Sequence, residues 1–286
     1  MIVEGDFMNR NERARLAAET LEIISRGSYE SRSGKRVEIA QILADCLLAS
    51  KLYRPENFNE DFMRLDTDNS SKQTRFEVNN ETTLSAAVRV AKEFGGTTTL
   101  CLNFASAKNP GGGFLSGSQA QEESLARSSG LYASLTAQND YYSANRACHS
   151  ALYTDCMILS PAVPVFRDDN GALLDELYTV GMLTAPAVNG GAVYKNEPSN
   201  VSNILPTMRA RIEKVLTIAF RHDYQHLVLG AWGCGVFGND PEVMAALFAE
   251  QLLDGRFTNR FESVVFAVLD NTFYGQVIEA FRRHFE

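Results

Sequence analysis

The chain predicts an α/β fold, a mixed and mainly parallel sheet between helices, with an N-terminal helical accessory region. Three observations predict it. From about Arg75 onward, β-branched runs alternate with amphipathic ones, as in strands joined by helical crossovers. Two glycine-rich stretches each follow a strand-like run and precede a helix start, which puts them where open α/β sheets bind ligands. The residues before Arg75 carry helical spacing instead. Residues 1–74 are therefore expected to be the accessory region and linker, and residues 75–286 the domain that carries the site.

Taken in order, Asn11–Arg26 places Leu16, Ala17, Thr20, Leu21, Ile23 and Ile24 on one face and stops at Gly27. Val37–Leu52 is a second helix, ending before Arg54-Pro55, and the polar residues 56–73 are the best candidate linker. Phe76–Val78 is a short strand, followed by a helix over Thr83–Phe94 and a buried strand over Thr97–Phe104. Ser118–Leu135 is helical. Met157–Leu159, Val163–Phe166 and Tyr178–Ala187 are strands. A helix over Val201–Arg221 leads into strand His226–Leu229, helix Pro241–Leu253, strand Ser263–Leu269 and a last helix, Tyr274–Phe285.

Composition narrows the class. Apolar residues make up 45% and charged ones 22% of the 286, which excludes a disordered or collagenous chain. No run approaches the ~20 apolar residues of a spanning helix, and the opening MIVEGDFMNRNERAR is too charged for a signal peptide. Neither membrane nor export is expected. Cys46, Cys101, Cys148, Cys156 and Cys234 are odd in number and form no CxxC, the usage of reduced thiols in a cytoplasm. With 27 Lys+Arg against 35 Asp+Glu the net charge is −8, so duplex nucleic acid is an unsuitable partner. The four His are scattered and suggest no metal site.

Asn103–Arg127 carries the most information. After a strand and Asn109-Pro110 come Gly111, Gly112 and Gly113, then Gly117 and a helix start. Ser118 and Gln121 have the spacing of a capping box, which puts Gln121, Glu122 and Glu123 in the first helical turns. Glycines let backbone approach a ligand, and exposed N–H groups at a helix start hold anions without lysines. A flexible connection would look the same. No Gly-Lys-Ser/Thr follows, so this is not a Walker loop. The second stretch, His226–Glu242, contains Gly230, Gly233, Gly235 and Gly238, then Asp240 as N-cap and Pro241 as first helical residue. Two such loops in one domain can wall one cleft around a shared anion. Phe237 is either a stacking platform there or an ordinary buried loop aromatic. Glu122 and Glu123, ~100° apart on a helix, cannot flank a glycosidic bond from opposite faces. One of them can serve as a single acid/base; both would equally suit a solvated first turn.

GGGFLSGSQAQEE at Gly111–Glu123 is similar to the poly(ADP-ribose) glycohydrolase signature, a glycine triplet followed after a short spacer by Gln-Glu-Glu. The run Asn103–Tyr132 and the run Gly230–Pro241 (GAWGCGVFGNDP) resemble the bacterial-type branch, and the N-terminal part resembles its accessory region. The resemblance implies a macrodomain-like fold binding ADP-ribose, with Glu123 as catalytic acid/base and Glu122 orienting ribose hydroxyls. It implies substrate contacts from Asn109, Gly111, Gly112, Gly113 and Gln121, and from Gly233, Cys234, Gly235, Val236 and Phe237. Adenine contacts from Glu81 and Phe273 follow from the implied topology. No cofactor is implied.

The implied substrate is poly(ADP-ribose) or ADP-ribosylated protein and the product ADP-ribose, in reversal of ADP-ribosylation such as accompanies a DNA damage response. Lack of a clasp hairpin implies cutting from chain ends. Two alternatives are a non-catalytic ADP-ribose reader, which would need neither glutamate, and a mono-ADP-ribosyl-protein hydrolase.

Overall fold

The computed structural model describes residues 8–65 and 73–286. The first part contains α1 (Arg10–Arg26), β1 (Ser28–Glu30), β2 (Arg36–Glu38), α2 (Ala40–Ala49), β3 (Lys51–Tyr53) and α3 (Glu60–Met63). Then come β4 (Arg75–Asn79), α4 (Thr83–Phe94), β5 (Thr99–Phe104), α5 (Gln121–Ser128), α6 (Leu131–Ala137), α7 (Asn139–Ala147) and β6 (Met157–Arg167). The last part has β7 (Leu173–Ala185), α8 (Gly190–Asn196), α9 (Ile204–Arg221), β8 (His226–Leu229), α10 (Pro241–Leu252), β9 (Ser263–Ala267) and α11 (Gln276–Phe285).

Seven strands form the main sheet in the order β3-β6-β7-β5-β8-β9-β4. The run from β7 to β4 is parallel, while β6 is antiparallel to β7 and β3 to β6. Both faces are covered, as a parallel sheet requires. Alternate residues go to opposite layers: Leu100, Leu102, Leu227, Leu229, Val264 and Phe266 to one, Cys101, Val228 and Val265 to the other. Ile212 and Leu216 of α9, Phe248 of α10 and Phe281 of α11 close the first layer. Leu84 and Val90 of α4, Leu131 of α6 and Tyr141 of α7 close the second.

Several elements differ from the sequence reading. The segment expected as a helix over Val37–Leu52 is partly strand. Val37 pairs with Tyr29 in a hairpin turned at Gly34 (φ +81°), and Lys51–Tyr53 is captured by the open edge of β6. The expected helix Ser118–Leu135 starts at Gln121 and breaks after Ser128, because Ser129 bridges to Val165 and Gly130 donates to the Pro164 carbonyl (2.9 Å). The capping box does not form: the N-cap of α5 is Ala120, with no side-chain cap. The two strands expected over 157–166 are one strand with a bulge at Ser160/Val163, where Ala162 has φ +52°. The first residues of the expected Val201–Arg221 helix are a 3-10 turn, Pro198–Asn203. The expected linker, residues 56–73, holds α3, and its residues 66–72 lie outside the described ones.

Phe266 on β9 packs against Phe248, Phe281 and Phe285, with centroids 5.5, 5.2 and 4.3 Å away. Phe266→Ala should therefore cost ~3–5 kcal/mol, read as a lower denaturation midpoint in urea with an unchanged slope.

Candidate functional site

β5 lies between β7 and β8, parallel to both, so the loops after all three strands leave the sheet on one side. That is what unites the two glycine loops. At the end of β5, Asn103 is fully buried beside its register partner Thr184, to which its Nδ2 donates (3.1 Å). The same Nδ2 reaches Glu122 Oε1 at 3.3 Å, and the Ser106 N–H donates to Glu122 Oε2 at 2.6 Å. Glu122 is 3% exposed. Burial drives its pKa up from 4.5 to about 8, against the opposing pull of the Ser106, Asn103 and Gly111 hydrogen bonds.

Glu123 is only half-buried, and its Oε1 accepts from the Gly113 N–H (2.9 Å). Gly112 has φ +59°, and a Cβ on it would lie 2.3 Å from Glu123 Oε1 and 3.3 Å from Glu122 Oε2. Only glycine lets the backbone lie against both carboxyls. The triplet's donors are spent inside the protein: Gly111 on Glu122, Gly112 on the Asn109 carbonyl (3.0 Å), Gly113 on Glu123. Phe114 is fully buried in a cluster with Ala17 and Ala126.

Gln121, expected to face a ligand, turns inward. Its Oε1 accepts from the Phe104 N–H (2.8 Å), and its Nε2 donates to the Leu102 carbonyl (2.7 Å) and Thr83 Oγ1 (3.1 Å). It fastens the start of α5 to the end of β5. Asn109 is exposed at the loop's outer turn.

The second loop offers what the first withholds. Among the described residues, the N–H groups of Gly235, Val236 and Phe237 make no hydrogen bond within the protein. Val236 is 92% exposed, and a Cβ on Gly235 would meet nothing within 4 Å. Gly233 (φ +77°) packs where a Cβ would strike Asn239 and Ala187. Such a run of unpaired N–H groups is available to an anion. Asp240 caps α10, accepting from the Glu242 N–H (2.9 Å). The Cys234 thiol is held neutral, its pKa pushed up to about 12 by burial, so it offers no nucleophile. Phe237 is half-buried, with its ring 6.1 Å from Tyr153.

Glu81 and Phe273 follow β4 and β9, which are parallel neighbours. Glu81 pairs with Arg89 (2.8 Å), and Phe273 is 92% exposed against Tyr274.

Asn103, Ser106 and the β7–α8 turn were missed from sequence. The Gly191 N–H donates to the Phe237 carbonyl (2.9 Å), and Asn239 Nδ2 to the Val188 carbonyl (2.9 Å), so this turn holds the second loop. A polar Asn ending the apolar run TTTLCLNF, and Asn189-Gly190-Gly191 after a strand, were the available signals. Among the described residues, no group of three His, Cys, Asp or Glu is placed to hold a metal, and no helix is long and apolar enough to cross a membrane.

Fold and site together define a macrodomain-like α/β protein whose parallel strands β5 and β8 send two glycine loops to the same side of the sheet, one bonded to a carboxylate pair and one with unpaired N–H groups. Residues 17–168 match the model of the microbial-type PARG (poly(ADP-ribose) glycohydrolase) catalytic domain, and the chain belongs to that family. It is 49% identical to a solved poly(ADP-ribose) glycohydrolase from Thermomonospora curvata, covering 96% of this chain and 100% of that one at a TM-score of 0.92. That enzyme bound to the inhibitor ADP-HPD is 48% identical, covering 96% and 99%, with a TM-score of 0.88. The glycohydrolase from Deinococcus radiodurans in complex with ADP-ribose is 49% identical over 85% of this chain and 97% of that one, with a TM-score of 0.79. No curated protein matches.

Two expectations follow. Gly112→Ala should lose activity at least ~10²-fold in the folded fraction and also lower the melting temperature, since a Cβ at φ +59° is strained and displaces the carboxyls of a positioned site; kinetics and melting on one preparation check this. Glu122 has a folded pKa of about 8 against 4.5 unfolded, so the folded state keeps a proton that the unfolded state releases. Its contribution is full below pH ~4.5 and fades as pH rises through ~8. Glu122→Gln should flatten the fall in melting temperature between pH 5 and 8.

Proposed function

We propose that this chain is a poly(ADP-ribose) glycohydrolase, hydrolysing the ribose–ribose O-glycosidic bonds of poly(ADP-ribose) from chain ends and releasing ADP-ribose. The observation that carries the reading is the bonding of Gly111 and Gly113 to two carboxyls, with three unpaired N–H groups in the loop that follows the adjacent parallel strand. The complexes of its relatives with ADP-ribose and ADP-HPD support the ligand.

In this reading the diphosphate sits on the N–H groups of Gly235, Val236 and Phe237, and Phe237 packs against the distal ribose near Asn109. Glu123, the less buried carboxyl, donates a proton to the leaving 2′-oxygen. The C1″ centre passes through an oxocarbenium-like state beside the diphosphate. Water then attacks, with Glu123 as base. Glu122, neutral through burial, orients a ribose hydroxyl. Gly111–Gly113 hold both carboxyls in register and Gln121 pins α5; Gly233 and Cys234 shape the second loop. We assign ligand binding to residues 75–286, with the preceding segment as an accessory that completes the sheet edge and backs the first loop. No cofactor enters the scheme. The net charge of −8 argues against duplex nucleic acid as partner, and the five free cysteines suit a reducing cytoplasm.

Incubation with poly(ADP-ribose) and with mono-ADP-ribosylated protein, reading free ADP-ribose, tests the proposal. Release from the polymer supports it, release from the mono-modified protein alone points to a side-chain hydrolase, and binding without release to a reader. Glu123→Gln should keep ADP-ribose affinity within a few-fold and lower turnover at least ~10²-fold. Turnover near wild type would assign the proton to another group.

A further inference from the structure

We infer that Arg13 of α1 is a positioning residue for the reaction, holding the backbone between the glycine triplet and α5 so that Gly113 meets Glu123. The inference rests on the function proposed above.

Four successive residues of that connection are gripped by arginines. Arg10 Nε donates to the Ser116 carbonyl (2.9 Å) and Arg13 Nε to the Gly117 carbonyl (2.8 Å). Arg127 Nη1 reaches the Ser118 carbonyl (3.4 Å), and its Nη2 donates to Gln119 Oε1. Arg13 also donates through Nη1 to the Met8 carbonyl, so one planar fork ties the start of the chain's first helix to the loop. Contact extends to the backbone. Gly117 has φ +76°, and a Cβ on it would lie 2.1 Å from the Arg10 carbonyl oxygen. The Ser118 N–H closes the turn onto the Gly113 carbonyl (3.1 Å). Thr20, two turns further along α1, donates to the Arg127 carbonyl (2.5 Å).

Such bracing has a purpose here. Gly111, Gly112, Gly113 and Gly117 fall within seven residues, and glycine backbone loses the most freedom on ordering. Left to itself, this stretch would not hold Gly113 within hydrogen-bond range of Glu123. α1 supplies the order from outside the loop. Arg127 cannot supply it alone: its reach to the Ser118 carbonyl, 3.4 Å, is the longest of the set.

Arg13 is only half-buried, so its removal is separable from collapse of the core. Arg13→Ala should lower kcat on poly(ADP-ribose) by ~10-fold or more, with KM within ~3-fold and the melting temperature little changed, as expected when reacting groups are misplaced. Backbone amides of Gly113 and Gly117 should exchange with deuterium at least ~10-fold faster. Arg13→Lys, with a single point donor in place of the fork, should fall between alanine and wild type. Arg15→Ala, an exposed change on the same helix, should match wild type.

Wild-type kcat and exchange in Arg13→Ala would overturn the inference. So would kcat falling together with the melting temperature while KM rises, which marks a merely structural role. If Arg13→Ala fails to fold, Arg13→Lys is read by the same split, and its absence overturns the inference. If wild type releases no ADP-ribose, the proposed function fails instead, and exchange at Gly113 and Gly117 decides the role of Arg13.

Discussion

The dry carboxyl of Glu122 is the constraint on which the site depends. A carboxyl at 3% exposure needs partners for its oxygens, and it takes them from three places: the end of β5, the turn after it and the first glycine of the triplet. Each partner fixes a piece of backbone. Asn103 ties the carboxyl to β7 through Thr184, Ser106 sets the path of the loop, and Gly111 brings the triplet over the top. Glu123 is then placed as the neighbour of a residue that cannot move, half-exposed at the mouth of the same loop.

The two glycine loops, alike in sequence, differ in use. The first spends two N–H groups on carboxyls and one on its own turn, and the second leaves three unpaired. An acidic chain can thus meet an anionic ligand with backbone dipoles, since N–H groups carry partial positive charge whatever the net charge around them. Of the two carboxyls of the first loop, Glu122 is kept protonated by burial and Glu123 is engaged by Gly113.

Much of this was legible in the residues. Helix Thr83–Phe94 and strand His226–Leu229 coincide with the expected ranges, because amphipathic spacing and a short apolar run between turns are local signals. Both glycine loops were visible, and β5 and β8 lie side by side. What escaped was set by distant partners. Lys51–Tyr53 is a strand because β6 has an open edge, and the helix expected to run through Ser129 and Gly130 breaks because β6 bulges beneath it. Gln121 turns inward to accept from the Phe104 N–H at the end of β5, beyond the point where pairing with β8 stops. The part of the β7–α8 turn in holding the second loop needs β7 and β8 flanking β5, which no local pattern announces.

The edge strand β3 has a consequence for how this chain tolerates cutting. Its three residues pair with Met157, Ile158 and Leu159 at the start of β6, and Tyr53 there is fully buried. A fragment beginning at the glycine-loop domain would keep every residue assigned to ligand binding, yet present β6 as a bare, apolar, hydrogen-bonding margin. Such margins recruit strands from other molecules. The short N-terminal strand therefore acts as a selvedge, and its loss would show first as self-association.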